Sequence, residues 1–131
     1  MNRDRRPVVV VAAIIERNGR FLVAKRLAGT HLSGLWEFPG GKCESHEDLA
    51  GCLARELEEE LGVAATIGAE VLQTEHAYPE KTVRLHFHRC DIAGDPQPRL
   101  GQDIQWVSRD ELKDLEFPAA DKELIDLLLR S

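Results

Sequence analysis

Long hydrophobic runs are missing from this 131-residue chain. No stretch approaches the length that crosses a bilayer, and the opening MNRDRRP lacks the apolar core of a secretory leader. No membrane partner is expected, and the cytoplasm is the expected compartment. A basic excess is missing as well. Lys and Arg total 17 against 23 Asp and Glu, a formal charge of −6, whereas a polymeric nucleic acid is held by counterion release onto a basic face. Polymeric nucleic acid is therefore not an expected partner, and a phosphate-bearing ligand has to arrive with a cation. Cysteine is scarce. Cys43, Cys52 and Cys90 are odd in number and follow no metal-binding spacing, so they read as reduced thiols, none a convincing nucleophile. Repeats and low-complexity linkers are absent, and 43% hydrophobic content over this length suits one compact domain, 1–131, and not two.

Acid, by contrast, is crowded onto one short segment, GKCESHEDLAGCLARELEEELGV from Gly41 to Val63. Phe38-Pro39-Gly40-Gly41 reads as a tight turn, and Ser45 with Asp48 as a capping box that opens a helix. Gly62 supplies the left-handed residue that closes it. At about 100° per residue, Ala50, Leu53, Ala54, Leu57 and Leu61 share an apolar arc that should pack on a core. Glu56, Glu59 and Glu60 fall together on a flank. Like charges at i, i+3 and i+4 destabilise a helix unless something positive lies between them. Carboxylates and a backbone carbonyl from the glycine turn are the ligand types that magnesium or manganese prefers. The other reading of the same residues is a solvated acidic face.

The rest of the chain reads as strands and short helices. Pro7 to Glu16 is a β-branched run, Asn18-Gly19 a two-residue hairpin signal, and Arg20 to Arg26 alternates back, which predicts a first hairpin. A polar loop from Leu27 to Gly34 leads to a short strand at Leu35 to Phe38. Two long strands are expected at Ala64 to Ala77 and Lys81 to Ile92, then a proline-rich loop, a strand at Asp103 to Val107, a helical turn at Ser108 to Leu112 and a final helix from about Ala119 to Arg130. Helices interleaved with mixed strands suggest an α/β sheet with helices on two faces.

Gly41, Glu47, Arg55-Glu56-Leu57, Glu59-Glu60 and Gly62-Val63 stand at the spacing of the Nudix box with no mismatch at nine positions. From Val8 to Leu129 the chain resembles the MutT branch of Nudix hydrolases, in particular the small oxidised-purine and cytidine nucleotide pyrophosphohydrolases. The resemblance implies the Nudix α/β/α sandwich with a mixed sheet. It implies that the Gly40 carbonyl, Glu56, Glu59 and Glu60 hold two or three magnesium or manganese ions, with Glu47 an outer ligand or an orienting group. Glu56 or Glu59 then deprotonates the attacking water. Arg55 is expected to pair with a box glutamate and hold the carboxylates in place. Arg26 and Lys42 match positions that approach substrate phosphates, or are ordinary surface cations.

For the base, Phe117-Pro118-Ala119-Ala120-Asp121 matches a MutT stretch that ends in a purine-reading asparagine. Asp121 stands in its place. An ionised aspartate only accepts, which suits guanine N1 and N2 or the exocyclic amine of cytosine, whereas a protonated one in a dry pocket restores oxopurine reading. Alternatively, Asp121 caps the last helix. Phe38, Trp36 and Phe117 line a base pocket or belong to the core. Many relatives carry a metal-binding glutamate six residues before Trp106, where this chain has Leu100; Gln102 or Asp103 are the candidate substitutes. His76, His86 and His88 invite a zinc reading without partners at zinc-finger spacing. Three functions follow: hydrolysis of oxidised guanine nucleotides, hydrolysis of CTP or modified dCTP, and a catalytically silent nucleotide-sensing module. Monomer and homodimer are both compatible with the sequence.

Overall fold

A computed structural model describes residues 6–27 and 34–130. Most of the MNRDRRP start and of the polar loop predicted at Leu27 to Gly34 lies outside the described residues. The apolar run at the start forms β1 (Val8–Ile14), and its side chains alternate between two cores. Ala12 and Ile14 pack with Phe21, Val23, Phe87, Leu124 and Leu128 on one side. Val11, Ala13 and Ile15 pack with Cys52, Leu53, Leu57 and Leu61 on the other. A strand buried on both faces needs a helix over each of them. The helices are α1 (Leu49–Leu61) on one side, and α2 (Arg109–Leu112) with α3 (Lys122–Arg130) on the other. The result is the expected α/β/α sandwich.

β1 pairs in parallel with β7 (Thr82–Ala93) and antiparallel with β5 (Gly40–Lys42), and β6 (Ala64–Ala77) extends the sheet beyond β7, so the sheet is mixed in the order β5-β1-β7-β6. A second, antiparallel sheet joins β3 (Arg20–Lys25) to β2 (Glu16–Arg17), β4 (Trp36–Glu37) and β8 (Ile104–Ser108). The predicted first hairpin is thus much shorter than expected. Asn18 and Gly19 take positive φ, as a two-residue hairpin turn requires. Only Glu16 and Arg17 pair back onto β3, because β1 leaves for the other sheet. Among the described residues no helix is long and apolar enough to cross a membrane.

Three further expectations are corrected. The glycine pair is no turn: Gly40 and Gly41 have ordinary φ and sit in β5, opposite Ala12 and Val11. Their small size is needed for close approach, since a Cβ on Gly40 would overlap the Val11 carbonyl and one on Gly41 the Glu56 carboxylate. α1 starts later than the predicted capping box, with Asp48 as N-cap accepting from the Gly51 N–H at 2.7 Å. Ser45 stays outside the helix because Asp48 already supplies the acceptor that the first turn needs. Ala50 is exposed and Cys52 takes its place in the buried arc. Gly62 closes the helix at φ 68°, as expected, its N–H bonded to the Glu58 carbonyl at 2.9 Å. Finally, Cys43 and Cys52 are joined in a disulfide, their Cα atoms 5.4 Å apart, so the expectation of reduced thiols fails for this pair. Cysteine parity carries no information on proximity, and β5 delivers Cys43 to the first turn of α1. Cys90 is free and buried, and burial pushes its thiol up to about 12.

Candidate active site

One arginine organises the acidic face of α1. Arg55 grips Glu47 with two nitrogens, Nε to Oε2 at 2.6 Å and Nη2 to Oε1 at 2.8 Å, a forked carboxylate pairing. Its Nη1 stands 3.3 Å from both Glu56 and Glu59, and Nη2 also reaches the Lys42 carbonyl at 3.3 Å. The Arg55 bond, with a backbone N–H from Glu44, holds the Glu47 carboxyl down to about 2. Both Glu47 oxygens are thereby committed.

Glu56 and Glu60 lie against the glycine strand and hydrogen-bond to each other. Burial raises the carboxyl of Glu60 well above the carboxylate range, the charges of Glu37 and Glu56 raise it further, and a bond from the Gly40 N–H opposes them. Burial also raises Glu56, with the Arg55 charge pulling the other way. Two neighbouring carboxyls raised by burial form a wall where a divalent cation can take the place of a proton. Their hard oxygens suit magnesium or manganese. Glu59 is 57% exposed at its side chain and leans towards Arg55. Among the described residues no group of three or more His, Cys, Asp or Glu side chains is arranged so that it could hold a metal ion.

From this pair a cleft of about 490 Å³ runs across the mixed sheet. Gly40, Gly41 and Lys42 border its acidic end, Arg26, Glu37 and Phe38 line it further along, and Tyr78, Ala120 and Asp121 also face it. Asp121, only 6% exposed, ends a short 3-10 turn, Ala119–Asp121, ahead of α3. Burial first, and then the Glu37 charge, push its carboxyl up to about 7, while Arg26 opposes them. Arg26 donates to Glu37 Oε1 at 2.7 Å. Phe38 lines the cleft yet is core, stacked on Phe117 at 5.4 Å and edge-on to Phe87 at 6.2 Å. Phe117 and Trp36 stand behind the lining.

Leu100 is 55% exposed at the rim, where the resemblance would have a glutamate. Buried Gln102 lines the cleft too, but its amide bridges the Leu100 N–H at 2.9 Å and the Glu60 carbonyl at 3.2 Å. It fastens the loop to α1. The Asp103 carbonyl accepts from the Lys25 N–H, and its side chain is outside the cleft. His86 Nδ1 pairs with Glu70 Oε1 at 2.5 Å, His88 Nε2 stands 3.6 Å from the same oxygen while its Nδ1 bonds the Gly68 carbonyl, and His76 packs on Tyr78; among the described residues these form no group that could hold a metal ion. Sequence reasoning missed Glu37 and Tyr78, whereas Gln102, a candidate substitute for the absent glutamate, does line the cleft. Only Glu37 left a trace, as a lone charge between Trp36 and Phe38 in a strand.

An arrangement of this kind suits a hydrolase that works with a divalent ion on a nucleotide-sized substrate, and the comparisons agree. The NUDIX domain family matches residues 10–127, and the chain belongs to the Nudix hydrolases, on the MutT-like pyrophosphohydrolase branch. Members of this family generally use divalent metals. A CTP pyrophosphohydrolase of Escherichia coli K12 is 41% identical over 118 residues, 89% of this chain and 86% of its own. An 8-oxo-dGTP diphosphatase of Haemophilus influenzae is 36% identical over 129 residues, 96% and 94% of the two chains. Among solved structures, the E. coli ORF135 protein aligns with a TM-score of 0.85 at 38% identity, covering 96% of this chain and 92% of that one. The MutT protein of Methanosarcina mazei Go1 aligns at 0.86 and 25% identity, covering 98% and 97%.

Proposed function

We propose that residues 1–131 work as one Nudix domain that hydrolyses nucleoside triphosphates to the monophosphate and pyrophosphate, with oxidised guanine nucleotides such as 8-oxo-dGTP preferred. The observation that carries this reading is the cleft shared by the Glu56–Glu60 pair and the buried Asp121. Triphosphate against the glycine strand and base against Asp121 leave the ribose between them, near Glu37.

Glu56, Glu59, Glu60 and the Gly40 carbonyl would hold the magnesium or manganese, two or three ions. Bound there, the metal neutralises phosphate oxygens and lowers the pKa of water. Glu56 or Glu59 takes the proton of the attacking water. Water adds to the β-phosphorus, the bond to the α–β bridging oxygen breaks, and the monophosphate leaves with that oxygen. Arg55 keeps the two carboxylates in place, and Glu47 keeps Arg55 in place. Lys42 and Arg26 meet phosphate oxygens. Phe38, backed by Phe117, gives the base an apolar wall. At neutral pH, Asp121 is divided between its two forms, so it accepts from guanine N1 and N2 when ionised and donates to O6 when protonated.

A second reading, CTP or modified dCTP, is favoured by the ionised half of Asp121, which accepts from the cytosine amine, and by the 41% identical relative. Pyrophosphate release with magnesium, compared by kcat/KM across natural, oxidised and methylated nucleoside triphosphates, separates the two. The first reading expects oxidised guanine to lead. Cytosine nucleotides in the lead would replace it with the second, and silence on every triphosphate would overturn both in favour of a sensing module.

A further inference from the structure

The disulfide lies where the catalytic helix begins. Cys43 follows Lys42, the last residue of β5, and Cys52 lies in the first turns of α1. The loop they close contains Glu47, the residue that grips Arg55 at 2.6 and 2.8 Å. Arg55 also touches the Lys42 carbonyl, directly before the bridge. The bridge therefore spans the segment that aims the arginine, and the arginine stands between Glu47 on one side and Glu56 and Glu59 on the other. Hydrolysis as proposed above uses neither sulfur.

We propose that Cys43–Cys52 is a thiol–disulfide exchange site for a dithiol reductant, and that its oxidised form tightens the hold of the acidic helix on its divalent ion by keeping Glu47 on Arg55. With the loop closed, Glu47 satisfies most of the arginine, and its contacts to Glu56 and Glu59 are the longer ones. Opening the bridge frees the loop, so holding Glu47 in place costs more conformational entropy. Arg55 then turns to the nearest remaining carboxylates, Glu56 and Glu59, and the metal has to compete with it. The inference rests on the proposed metal role of these glutamates.

The exchange itself is ordinary thiol chemistry. A thiolate of the dithiol attacks Sγ of Cys43, the half-buried member of the pair, because Cys52 is fully buried. A mixed disulfide forms on Cys43, and the Cys52 sulfur leaves with the electron pair and takes a proton. The second thiolate attacks the reagent's own sulfur, which closes a cyclic disulfide and releases Cys43. Two electrons pass to the protein and the dithiol is oxidised. Cys90 does not compete, since its buried thiol, pushed up to about 12, is not ionised at neutral pH.

The test uses the full chain, equilibrated in graded ratios of reduced to oxidised dithiothreitol and then alkylated in denaturant for mass spectrometry. The expected result is two added alkyl groups, on Cys43 and Cys52, that appear together on reduction while Cys90 is alkylated throughout. On the same samples, the magnesium concentration that gives half-maximal pyrophosphate release rises about three- to ten-fold on reduction. Reoxidation restores it. Cys43→Ser holds the reduced value and ignores dithiol, and Cys52→Ala, which leaves the core less full, gives a second reading of the same loss. The magnesium-induced rise in Tm is followed in parallel, so the inference is still tested if no nucleotide is turned over. Cysteines that never pair under oxidant, or a magnesium response identical in the two alkylation-verified forms, would overturn the proposal.

Discussion

The two ends of the cleft are built differently. At the acidic end Glu47, Arg55, Glu56, Glu59 and Glu60 come from fourteen consecutive residues; the last four share α1, so their relation follows from helical spacing, and the Arg55 guanidinium ties Glu47 to Glu56 and Glu59. Elsewhere in the cleft Arg26, Glu37, Tyr78 and Asp121 come from four separate segments and meet only because the sheets bring them together. In the function proposed above, chemistry that every substrate shares falls to the contiguous set. Selection among bases falls to the dispersed set, where a single change such as asparagine to aspartate alters what the cleft can read.

Breaking the contiguous end should cost most. Glu59→Gln is expected to lower kcat about 10³-fold or more while circular dichroism and Tm stay near those of the parent, because the side chain is exposed and only its charge is removed. Turnover within a few-fold of the parent would sink the assignment. Next comes Arg55→Lys. An ammonium cannot reproduce the fork on Glu47, so activity should fall about 10- to 100-fold with a higher magnesium requirement, read from kcat/KM at several metal concentrations.

At the other end the effects are smaller and selective. Asp121→Asn should change the ratio of kcat/KM for 8-oxo-dGTP to that for CTP about ten-fold, since asparagine always has a donor to offer O6. Its effect on stability has a definite sign. The folded pKa of Asp121, about 7, lies above the ordinary 3.8, so its contribution is fully present below about pH 4 and is lost as pH rises through 7. Melting of the metal-free protein at a series of pH values should therefore show Asp121→Asn gaining on the parent from pH 5 to 8, by roughly 2–4 kcal/mol at the top. A constant difference across that range would contradict the buried carboxyl. The smallest change is expected for Leu100→Glu. It adds a carboxylate at the exposed rim and should reduce the magnesium needed for half-maximal activity about two- to five-fold, with Tm unchanged.

The same contrast explains what could be read from sequence. α1, its Gly62 stop and the long strands β6 and β7 follow local rules of periodicity and capping, and they lie close to where those rules put them. The start of α1 was misread because Ser45 and Asp48 are both good caps, and only the fold shows which one meets a free N–H. The first hairpin was overextended because a turn signal fixes two residues on each side, while the partner of β1 was decided by strands about seventy residues away. Glycine at 40 and 41 suggested a turn, yet the need was closeness to Val11 and Glu56, which no local pattern encodes. Glu37 left only a lone charge in a strand and Tyr78 no signal, for the same reason: each is an ordinary strand or loop residue until tertiary packing turns it towards the cleft. The pairing of Cys43 with Cys52 was likewise a matter of proximity, not of number.

Glu56 and Glu60 are the residues on which the proposed divalent-ion site chiefly depends. Titration of the metal-free protein with Mn²⁺, with free ion read by electron paramagnetic resonance, tests that dependence most directly when the parent is compared with Glu60→Gln. The substitution is expected to weaken Mn²⁺ binding at least ten-fold while Tm without metal stays the same or rises, because a crowded carboxyl has been removed. Mn²⁺ binding of equal strength in the two proteins would contradict it.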